Sequence, residues 1–205
     1  MKLQLHYAPG TIASAAAITC FELGIDVDLV RVDFSAAEQT KAAYHKINPK
    51  GRVPALVTPE GILTETGALL EYLAQHTTSS SLLPSDPFKA AKMREMMYYL
   101  ASTMHVNHAH KLRGHRWADT QSSHQDMTAK VPETMAQSCR YVEENIAGPF
   151  VLGEEITLAD IYLFTICTWL AGDGVDIATY PKLNQHHETM KSRPSVVRAA
   201  ELGIV

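Results

Sequence analysis

Residues 48–72, NPKGRVPALVTPEGILTETGALLEY, pass from turn-forming residues through two short apolar runs into a stretch with helical spacing. Turn dipeptides open the stretch at 48–51, and a Pro-Glu-Gly turn at 59–61 separates the two apolar runs. From residue 65 onward the apolar positions recur at helical intervals. The pattern therefore predicts a β-hairpin that leads directly into a helix.

The junction between this hairpin and its helix carries Glu65 and Thr66. A helix start presents unpaired backbone N–H groups and the positive end of the helix dipole, which suits a carboxylate ligand. Val53 precedes Pro54 and is therefore extended, so its N–H and C=O can pair with an extended peptide-like ligand. Ordinary structural roles are also open, since Glu65-Thr66 would make a helix cap and Pro54 a trans proline of an edge strand.

Composition and charge limit the class of protein. A chain of 205 residues can hold one large domain or two small ones, and 46% hydrophobic with 20% charged residues is typical of a globular protein with a sizeable core. The net charge of −4 argues against nucleic-acid binding, and no apolar run is long enough to cross a bilayer. The three cysteines lack metal-ligand spacing and fit a reducing compartment. We therefore expect a cytoplasmic protein that binds neither nucleic acid nor membrane.

The order of the predicted elements divides the chain into two domains. Residues 1–76 alternate strand and helix patterns in the order β-α-β-α-β-β-α. Residues 77–87 are polar, contain two prolines and are predicted to be a linker. From residue 88 to 205 the strand signals stop and good helix formers dominate, which predicts an all-helical domain.

Local signals predict where several helices begin or end. Gly24 follows a run of small apolar residues and is expected just after the end of the first helix. Residues 35–38 have the form of a capping box, and Thr157 with Asp160 forms a second one before an apolar helix. Pro132 is expected either to kink a long helix or to mark its start.

Several segments together resemble the glutathione transferase superfamily. They are MKLQLHYAPG, NPKGRVPAL and LTETGALLEYLA in the first domain, and GPFVLGEEITLADIYLF and RPSV in the second. Each match is weak alone, but their order and spacing are specific, and the bacterial beta class is the most similar. The resemblance implies an α/β plus all-α protein, with a thioredoxin-like domain followed by a helical domain. It also implies a homodimer that uses glutathione as a co-substrate and needs no metal.

The resemblance assigns the glutathione-binding residues. The family's cis-proline falls on Pro54, and the residue that pairs with the glutathione backbone falls on Val53. The pair that holds the γ-glutamyl end falls on Glu65 and Thr66, so that Glu65 meets the ammonium group and Thr66 the neighbouring carboxylate. The remaining candidates are Lys50 and Arg52 for the glycine carboxylate, and Ser102 and His105 in the polar cluster at 102–105.

At the catalytic position the sequence departs from the beta-class pattern. The motif YAPGTIAS carries Ile12 where that class has its cysteine, which excludes a mixed disulfide there. Thr11 at the helix start is the first candidate to stabilise a thiolate, with helix capping as its alternative. Tyr7 is the second candidate, although it shares a face with buried-type leucines, and Ser14 is a weaker third.

Aromatic, methionine and histidine side chains in the second domain suggest an electrophile pocket. The residues expected to line it are Tyr98, Met104, His108 and Trp117. Packing between helices is the alternative for the aromatic and methionine side chains. The histidines do not form a recognisable metal motif, so we expect no metal.

These assignments lead to an expected activity and two alternatives. The main expectation is an enzyme that conjugates the glutathione thiol to small hydrophobic electrophiles. The first alternative is a glutathione-dependent disulfide reductase, which needs no protein cysteine. The second is a non-catalytic protein that binds glutathione or a hydrophobic ligand.

Overall fold

The structure is a computed structural model that describes residues 2–77 and 82–205. Two compact units are present, one formed by Met1–Leu83 with Met190–Val205 and the other by Pro84–Thr189. Residues 78–81 of the predicted linker at 77–87 lie outside the described residues. The second unit ends before the predicted limit of 205, because the last helix packs against the first helix of the chain.

The first unit contains a mixed four-stranded sheet with helices around it. Its elements are β1 (Leu3–Tyr7), α1 (Ala13–Glu22), β2 (Val27–Arg31), a 3₁₀ turn (Glu38–Thr40), α2 (Ala42–His45), β3 (Ala55–Thr58), β4 (Gly61–Thr64), α3 (Thr66–Gln75) and α9 (Pro194–Glu201). The predicted order β-α-β-α-β-β-α is therefore confirmed through α3. The opening stretch forms the β3–β4 hairpin and the start of α3, as its pattern predicts.

The sheet has the strand order β2-β1-β3-β4. Strand β1 runs parallel to β2, with Leu5 opposite Leu29, and antiparallel to β3, with Leu5 opposite Leu56. Strands β3 and β4 are antiparallel, with Leu56 opposite Leu63. Leu5 and Leu56 are fully buried, so the centre of the sheet is also the centre of the core of this unit.

Small side chains allow α1 to approach its neighbours closely. Its alanines are fully buried, and the helix contacts both α3 and α9. The helix ends at Glu22, and Gly24 follows it with a φ of +65°, which suits a residue just after a helix, as predicted.

The predicted capping box at 35–38 is wrong. The side chain of Ser35 does not cap a helix but donates a hydrogen bond of 2.6 Å to the carboxylate of Asp33. Glu38 instead accepts from the backbone N–H of Asp33. Ala37 takes a left-handed conformation, with φ of +49°, which closes the turn before the 3₁₀ segment.

The regular elements of the described part of the second unit are helices, and one isolated bridge joins Phe150 and Gly153. The unit contains α4 (Pro87–Tyr99), a π-helical turn (Leu100–Met104), α5 (His105–Arg113), a 3₁₀ turn (Gly114–Arg116), α6 (Gln121–Asn145), α7 (Leu158–Cys167), a 3₁₀ turn (Ile177–Thr179) and most of α8 (Pro181–Lys191). Pro132 lies inside α6 and does not mark its start. Among the described residues, no helix is long and apolar enough to span a membrane.

Helix α7 is buried over its whole length and begins with the predicted capping box. The carboxylate of Asp160 accepts hydrogen bonds from the backbone N–H of Val151 and from both the N–H and the hydroxyl of Thr157. His186 on α8 adds a fourth at 3.0 Å. The buried charge of Asp160 is thus fully satisfied by donors, as burial of a carboxylate requires.

Candidate functional site

The turn before α1 contains the catalytic candidates. The Thr11 hydroxyl is already used in hydrogen bonds within this turn. The Thr11 hydroxyl donates a hydrogen bond of 2.7 Å to the Ala8 carbonyl and accepts a longer one from the N–H of Ala13. Donation to a thiolate would therefore require Thr11 to release the Ala8 carbonyl. The helix N-cap position itself is occupied by Ile12, whose side chain cannot cap.

The other two candidates in this turn differ in how their hydroxyls are used. The buried Ser14 hydroxyl donates 2.8 Å to the carbonyl oxygen of Ile204, which also accepts from the N–H of Gly10. Ser14 is thus a structural donor that fixes the turn. Tyr7 is half-buried, and its hydroxyl has no hydrogen-bond partner within residues 2–77 and 82–205.

The segment before β3 presents an open piece of backbone. The Val53–Pro54 bond is cis, as the family resemblance predicts. The N–H and C=O of Val53 have no hydrogen-bond partner in the described part of the chain. Both groups can therefore pair with an extended ligand.

Two residues that the sequence analysis did not identify hold this backbone in place. The Tyr44 hydroxyl and the Asn48 side-chain amide both donate to the carbonyl of Arg52, at 2.8 and 2.7 Å. Tyr44 and Asn48 are buried, so these two hydrogen bonds fix the conformation of the segment before β3 from its buried side. The turn signal at Asn48-Pro49 marked the place, but spacing alone does not reveal the hydrogen bonds.

Glu65 has an unusual backbone and does not cap α3. Its φ is +72°, a region in which residues other than glycine are uncommon and strained. It occupies the N-cap position, yet its side chain makes no capping hydrogen bond and is largely exposed. Thr66 begins the helix, is buried, and its hydroxyl has no partner among the described residues. The start of α3 therefore has hydrogen-bond donors that no side chain of the described residues caps.

Two cations lie beside this helix start. The ammonium group of Lys50 contacts the hydroxyl of Thr64 at 2.7 Å and pairs with the carboxylate of Glu65. Arg52 is exposed, and its guanidinium has no partner within the described ranges. Because Ala55 lies opposite Thr64 in the β3–β4 pair, the segment of Val53 and the start of α3 lie at the same end of the hairpin, which carries two cations and one carboxylate. Such a set is complementary to a molecule that carries both carboxylates and an ammonium group.

A second cluster lies in the helical unit, around a tryptophan that the sequence analysis did not single out. The π-helical turn at Leu100–Met104 coincides with most of the predicted polar cluster, and His105 follows it at the start of α5. The ring of Trp169 lies 5.1 Å from that of His105 and 4.3 Å from that of His108, which stacks on it. The Nδ1 atom of His108 lies 2.7 Å from the buried carboxylate of Asp173.

The other pocket candidates are placed differently. Met104 is fully buried, which favours the packing role that the sequence left open for it. Tyr98 is 65% exposed on α4, and Ser102 is exposed in the π-helical turn. Trp117 is 47% exposed and contacts the ring of His110 edge-on, at 4.5 Å.

The three cysteines lie inside helices of the two units. Cys20, Cys139 and Cys167 are all buried, and burial raises the pKa of the first two thiols to about 12 and that of Cys167 well above its usual value. The described residues also include no group of three or more histidine, cysteine or acidic side chains that could hold a metal.

Known proteins match this chain along its whole length. Residues 1–75 match the glutathione S-transferase N-terminal domain, and residues 108–199 match the glutathione S-transferase C-terminal domain. Glutathione S-transferase GstA of Escherichia coli O157:H7 is 30% identical over 95% of both chains. A probable maleylacetoacetate isomerase of Caenorhabditis elegans is 26% identical, over 85% of this chain and 81% of its own.

A solved structure is more similar still. It is that of a glutathione transferase homologue from Sulfitobacter with bound glutathione, which is 55% identical and has a TM-score of 0.98. The match covers 100% of this chain and 99% of the other. With both domains matched in order and close relatives aligned over nearly every residue, the chain belongs to the glutathione S-transferase family.

Proposed function

We propose that this protein conjugates the thiol of glutathione to small hydrophobic electrophiles. The observation that carries the proposal is the open backbone of Val53 beside an uncapped helix start at Glu65 and Thr66. An extended tripeptide with two carboxylates and one ammonium group is complementary to this backbone, to the helix start and to the charged side chains beside it. The Sulfitobacter homologue, similar over its full length, has been solved with glutathione bound.

Each end of glutathione has a proposed partner. Val53 pairs with the ligand backbone next to Pro54. Glu65 releases Lys50 and takes the γ-glutamyl ammonium, while Thr66 and the N–H groups of α3 hold the adjacent carboxylate. Lys50 then meets the glycine carboxylate together with the exposed Arg52. The ion pair between Lys50 and Glu65 is thereby exchanged for two ion pairs with the ligand.

The thiolate is proposed to form at the start of α1. There Thr11 leaves the Ala8 carbonyl and donates to the sulfur, with Tyr7 as the alternative donor because its hydroxyl has no partner in the described part of the chain. Either donor lowers the free energy of the thiolate relative to the thiol, whose proton passes to water. The thiolate sulfur then forms a bond to the electrophilic carbon, and the leaving group departs with its electron pair.

The acceptor substrate is proposed to bind to the helical unit. Trp169 supplies an aromatic surface there, flanked by His105 and His108. Tyr98, Ser102 and Trp117 remain proposed contacts, while Met104 supports the helix from inside the core. We also propose that the protein works in the cytoplasm as a homodimer, as the family resemblance implies.

Binding and chemistry need separate tests. Retention on immobilised glutathione tests binding, and the Glu65→Ala variant is expected to lose it. The pKa of the bound glutathione thiol, followed by thiolate absorbance, is expected to lie below that of free glutathione. Thr11→Val raises it if Thr11 is the donor, and Tyr7→Phe raises it if Tyr7 is. An unshifted thiol in the unmutated protein would contradict the thiolate mechanism.

The choice of substrate distinguishes the alternatives. Conjugation of a chlorinated nitroaromatic supports the proposed activity, whereas reduction of a small mixed disulfide without conjugation supports a glutathione-dependent disulfide reductase. Binding of glutathione with neither reaction above background supports a non-catalytic binding protein. A maleylacetoacetate analogue belongs in the same panel because of the relative from C. elegans.

A further inference from the structure

The backbone carbonyl of Arg52 accepts hydrogen bonds from two side chains at once. The Tyr44 hydroxyl donates to it at 2.8 Å and the side-chain amide of Asn48 at 2.7 Å. A carbonyl oxygen has two lone pairs, so these two donors occupy its full capacity. The carbonyl therefore cannot change direction without the loss of two hydrogen bonds.

Both donors are themselves held in place. Asn48 is 1% exposed, and its side-chain oxygen accepts from the backbone N–H of Lys50 at 3.1 Å. Its own backbone N–H donates to the carbonyl of Tyr44 at 2.9 Å. The Tyr44 ring meets the ring of His6 on β1 edge-on, with 5.9 Å between the ring centroids. Burial and the nearby charge of Glu38 raise the pKa of the Tyr44 hydroxyl to about 12, so it stays protonated and can donate at neutral pH.

The direction of this carbonyl also sets the direction of the N–H of Val53. The two groups belong to one peptide unit, which is planar. The bond between Arg52 and Val53 is trans, so its N–H points away from its C=O. The Val53 N–H has no hydrogen-bond partner in the described part of the chain. Tyr44 and Asn48 thus aim a free donor from the opposite side of its peptide unit.

Hydrogen bonds to the carbonyl also strengthen the N–H as a donor. A carbonyl that accepts hydrogen bonds withdraws electron density from the amide nitrogen, and linked hydrogen bonds polarise one another by about 10–30% per bond. The Val53 N–H is therefore fixed in direction and is a stronger donor than the N–H of an amide whose carbonyl accepts no hydrogen bond.

A second tyrosine shows what the same bond does when it serves only the fold. The Tyr180 hydroxyl donates to the carbonyl of Ala136 at 3.2 Å. Ala136 lies inside α6, where the N–H of the following residue bonds to a carbonyl four positions earlier. That peptide unit therefore has no free donor to aim. The Arg52 carbonyl differs because the N–H of its peptide unit is open.

We propose that Tyr44 and Asn48 are positioning residues that hold the Val53 N–H as an aimed donor to a peptide carbonyl of glutathione. The inference rests on the proposed function, in which Val53 binds the glutathione backbone. Both side chains act through the peptide unit of Arg52 and Val53 and not by their own contact with the ligand. The site then selects a ligand with a carbonyl oxygen at that place and discriminates against a weaker acceptor.

The first test measures glutathione binding by calorimetry. Tyr44→Phe keeps the ring beside His6 and removes only the hydroxyl. The Kd for glutathione is expected to rise about three- to tenfold, which corresponds to the weakening of one hydrogen bond. In the conjugation assay, KM for glutathione is expected to rise while kcat is unchanged, since the interaction is the same in the bound state and the transition state.

The second test uses two analogues of glutathione, each with one of the two peptide carbonyls changed to a thiocarbonyl. Sulfur is the weaker acceptor, so the unmutated protein is expected to bind one analogue about five- to tenfold more weakly than glutathione. In Tyr44→Phe this ratio of Kd values is expected to shrink to about twofold, because a misdirected N–H distinguishes the two acceptors less well. A purely structural role of Tyr44 would leave the ratio unchanged.

Tyr180→Phe is the matched control. It also removes a tyrosine hydroxyl that donates to a backbone carbonyl, and it is expected to leave the Kd and the analogue ratio unchanged. Asn48→Ala is expected to reproduce both effects of Tyr44→Phe, since it removes the other donor to Arg52. Asn48 also holds the turn at Lys50, so where Asn48→Ala does not fold, Tyr44→Phe alone decides. Urea unfolding establishes that each variant is folded.

The other outcomes separate this inference from the proposed function. An unchanged Kd in Tyr44→Phe, or a raised Kd with an unchanged analogue ratio, would mean that Tyr44 supports only the fold, and either result overturns the inference. If the unmutated protein bound glutathione and both analogues equally, the Val53 N–H would not donate to a ligand carbonyl. That result also overturns the inference but leaves the proposed function intact. Failure to retain glutathione on the resin would instead overturn the proposed function itself.

Discussion

The hydroxyl of Ser14 donates a hydrogen bond of 2.8 Å to the carbonyl oxygen of Ile204, which lies 190 positions further along the chain. The same carbonyl accepts from the N–H of Gly10, so one oxygen holds both ends of the turn that carries Thr11. Ser14 and Ile204 are both buried. The segment after α9 therefore fixes the geometry of the turn on which thiolate formation is proposed to depend.

Ser14→Ala is expected to disturb activity more than stability. The lost hydrogen bond costs about 1 kcal/mol of unfolding free energy, and the loosened turn lowers the rate of thiol conjugation. The matched control is Thr19→Val in the same helix, where a buried hydroxyl donates to the Ala15 carbonyl and, among the described residues, to no other group. Urea unfolding and initial rates should show similar stability losses but a fall in rate only for Ser14→Ala. Equal rates in the two variants would refute the role of this bond.

Glu65 is expected to lower the unfolding free energy of the protein while it strengthens glutathione binding. A glycine accepts its φ of +72° without the strain that a side chain brings, so Glu65→Gly should gain about 1 kcal/mol of unfolding free energy. Glu65→Ala keeps the strain and should show no such gain. Both variants lose the carboxylate proposed to bind the ligand ammonium, so both should bind glutathione more weakly.

Ala37 supplies the control for that comparison. Its φ of +49° is also left-handed, but it lies in an exposed turn before the 3₁₀ segment and carries no polar group. Ala37→Gly should therefore raise the unfolding free energy by up to about 1 kcal/mol while glutathione affinity stays unchanged. Calorimetric binding and thermal unfolding of the three variants measure both quantities. A Glu65→Gly protein that is no more stable than Glu65→Ala would contradict the strain argument.

The fold was largely predictable because its signals are local. Hairpin turns, small-residue packing in α1, the glycine after that helix and the capping box of Thr157 and Asp160 are all encoded within a few residues. The capping box at 35–38 failed because Asp33, just outside the motif, competes for the Ser35 side chain. Matching residue types do not decide which of two nearby acceptors takes a hydrogen bond.

The candidate site was predictable only in part because it depends on distant residues. Val53 and Glu65 lie within one local stretch, and resemblance to the family gave them roles. Asp173 reaches His108 across 65 positions, and Ile204 reaches Ser14 across 190, so no spacing rule links either pair. Trp169 lies beyond an apolar helix in which the sequence gives no sign of its ring contacts. That the Glu65 side chain does not cap α3 likewise needed coordinates, and its role towards a ligand remains a proposal.

The three cysteines are expected to be unreactive in the folded protein. Burial raises the pKa of Cys20 and Cys139 to about 12, so almost no thiolate forms near neutral pH. Labelling with a thiol reagent should modify no cysteine in native protein and all three after denaturation. Fast labelling of a native cysteine, together with loss of glutathione turnover, would point to a protein thiol in the mechanism.

The buried carboxylate of Asp160 is expected to be essential for stability. It accepts four hydrogen bonds, and Asp160→Ala leaves the buried His186 and two backbone N–H groups without a partner. The cost is expected to be about 3–5 kcal/mol, which removes much of the stability of an ordinary domain. Asp176 caps an exposed 3₁₀ turn, so Asp176→Ala should cost only about 1 kcal/mol. Equal midpoints of denaturation for the two variants would contradict this ranking.

The contact between α1 and α9 should lose strength in acid. Burial alone would raise the pKa of Glu22, but hydrogen bonds from Arg193 and Ser195 and the charge of Arg193 lower it below its usual value of about 4.3. Because the folded value is the lower one, the stabilisation is fully present above the unfolded value and is lost as the pH falls through the folded value.

Glu22→Gln removes this titration and provides the test. The variant should be less stable than the unmutated protein at neutral pH, and the difference should shrink as the pH drops below about 4. Glu133→Gln is the control, since its exposed pair with Lys130 contributes at most about 1 kcal/mol. Urea unfolding at a series of pH values measures the difference directly. If the difference in unfolding free energy between Glu22→Gln and the unmutated protein widened as the pH fell, the linkage would be refuted. Such a result would mean that the ion pair with Arg193 is weaker than the cost of burying the Glu22 carboxylate.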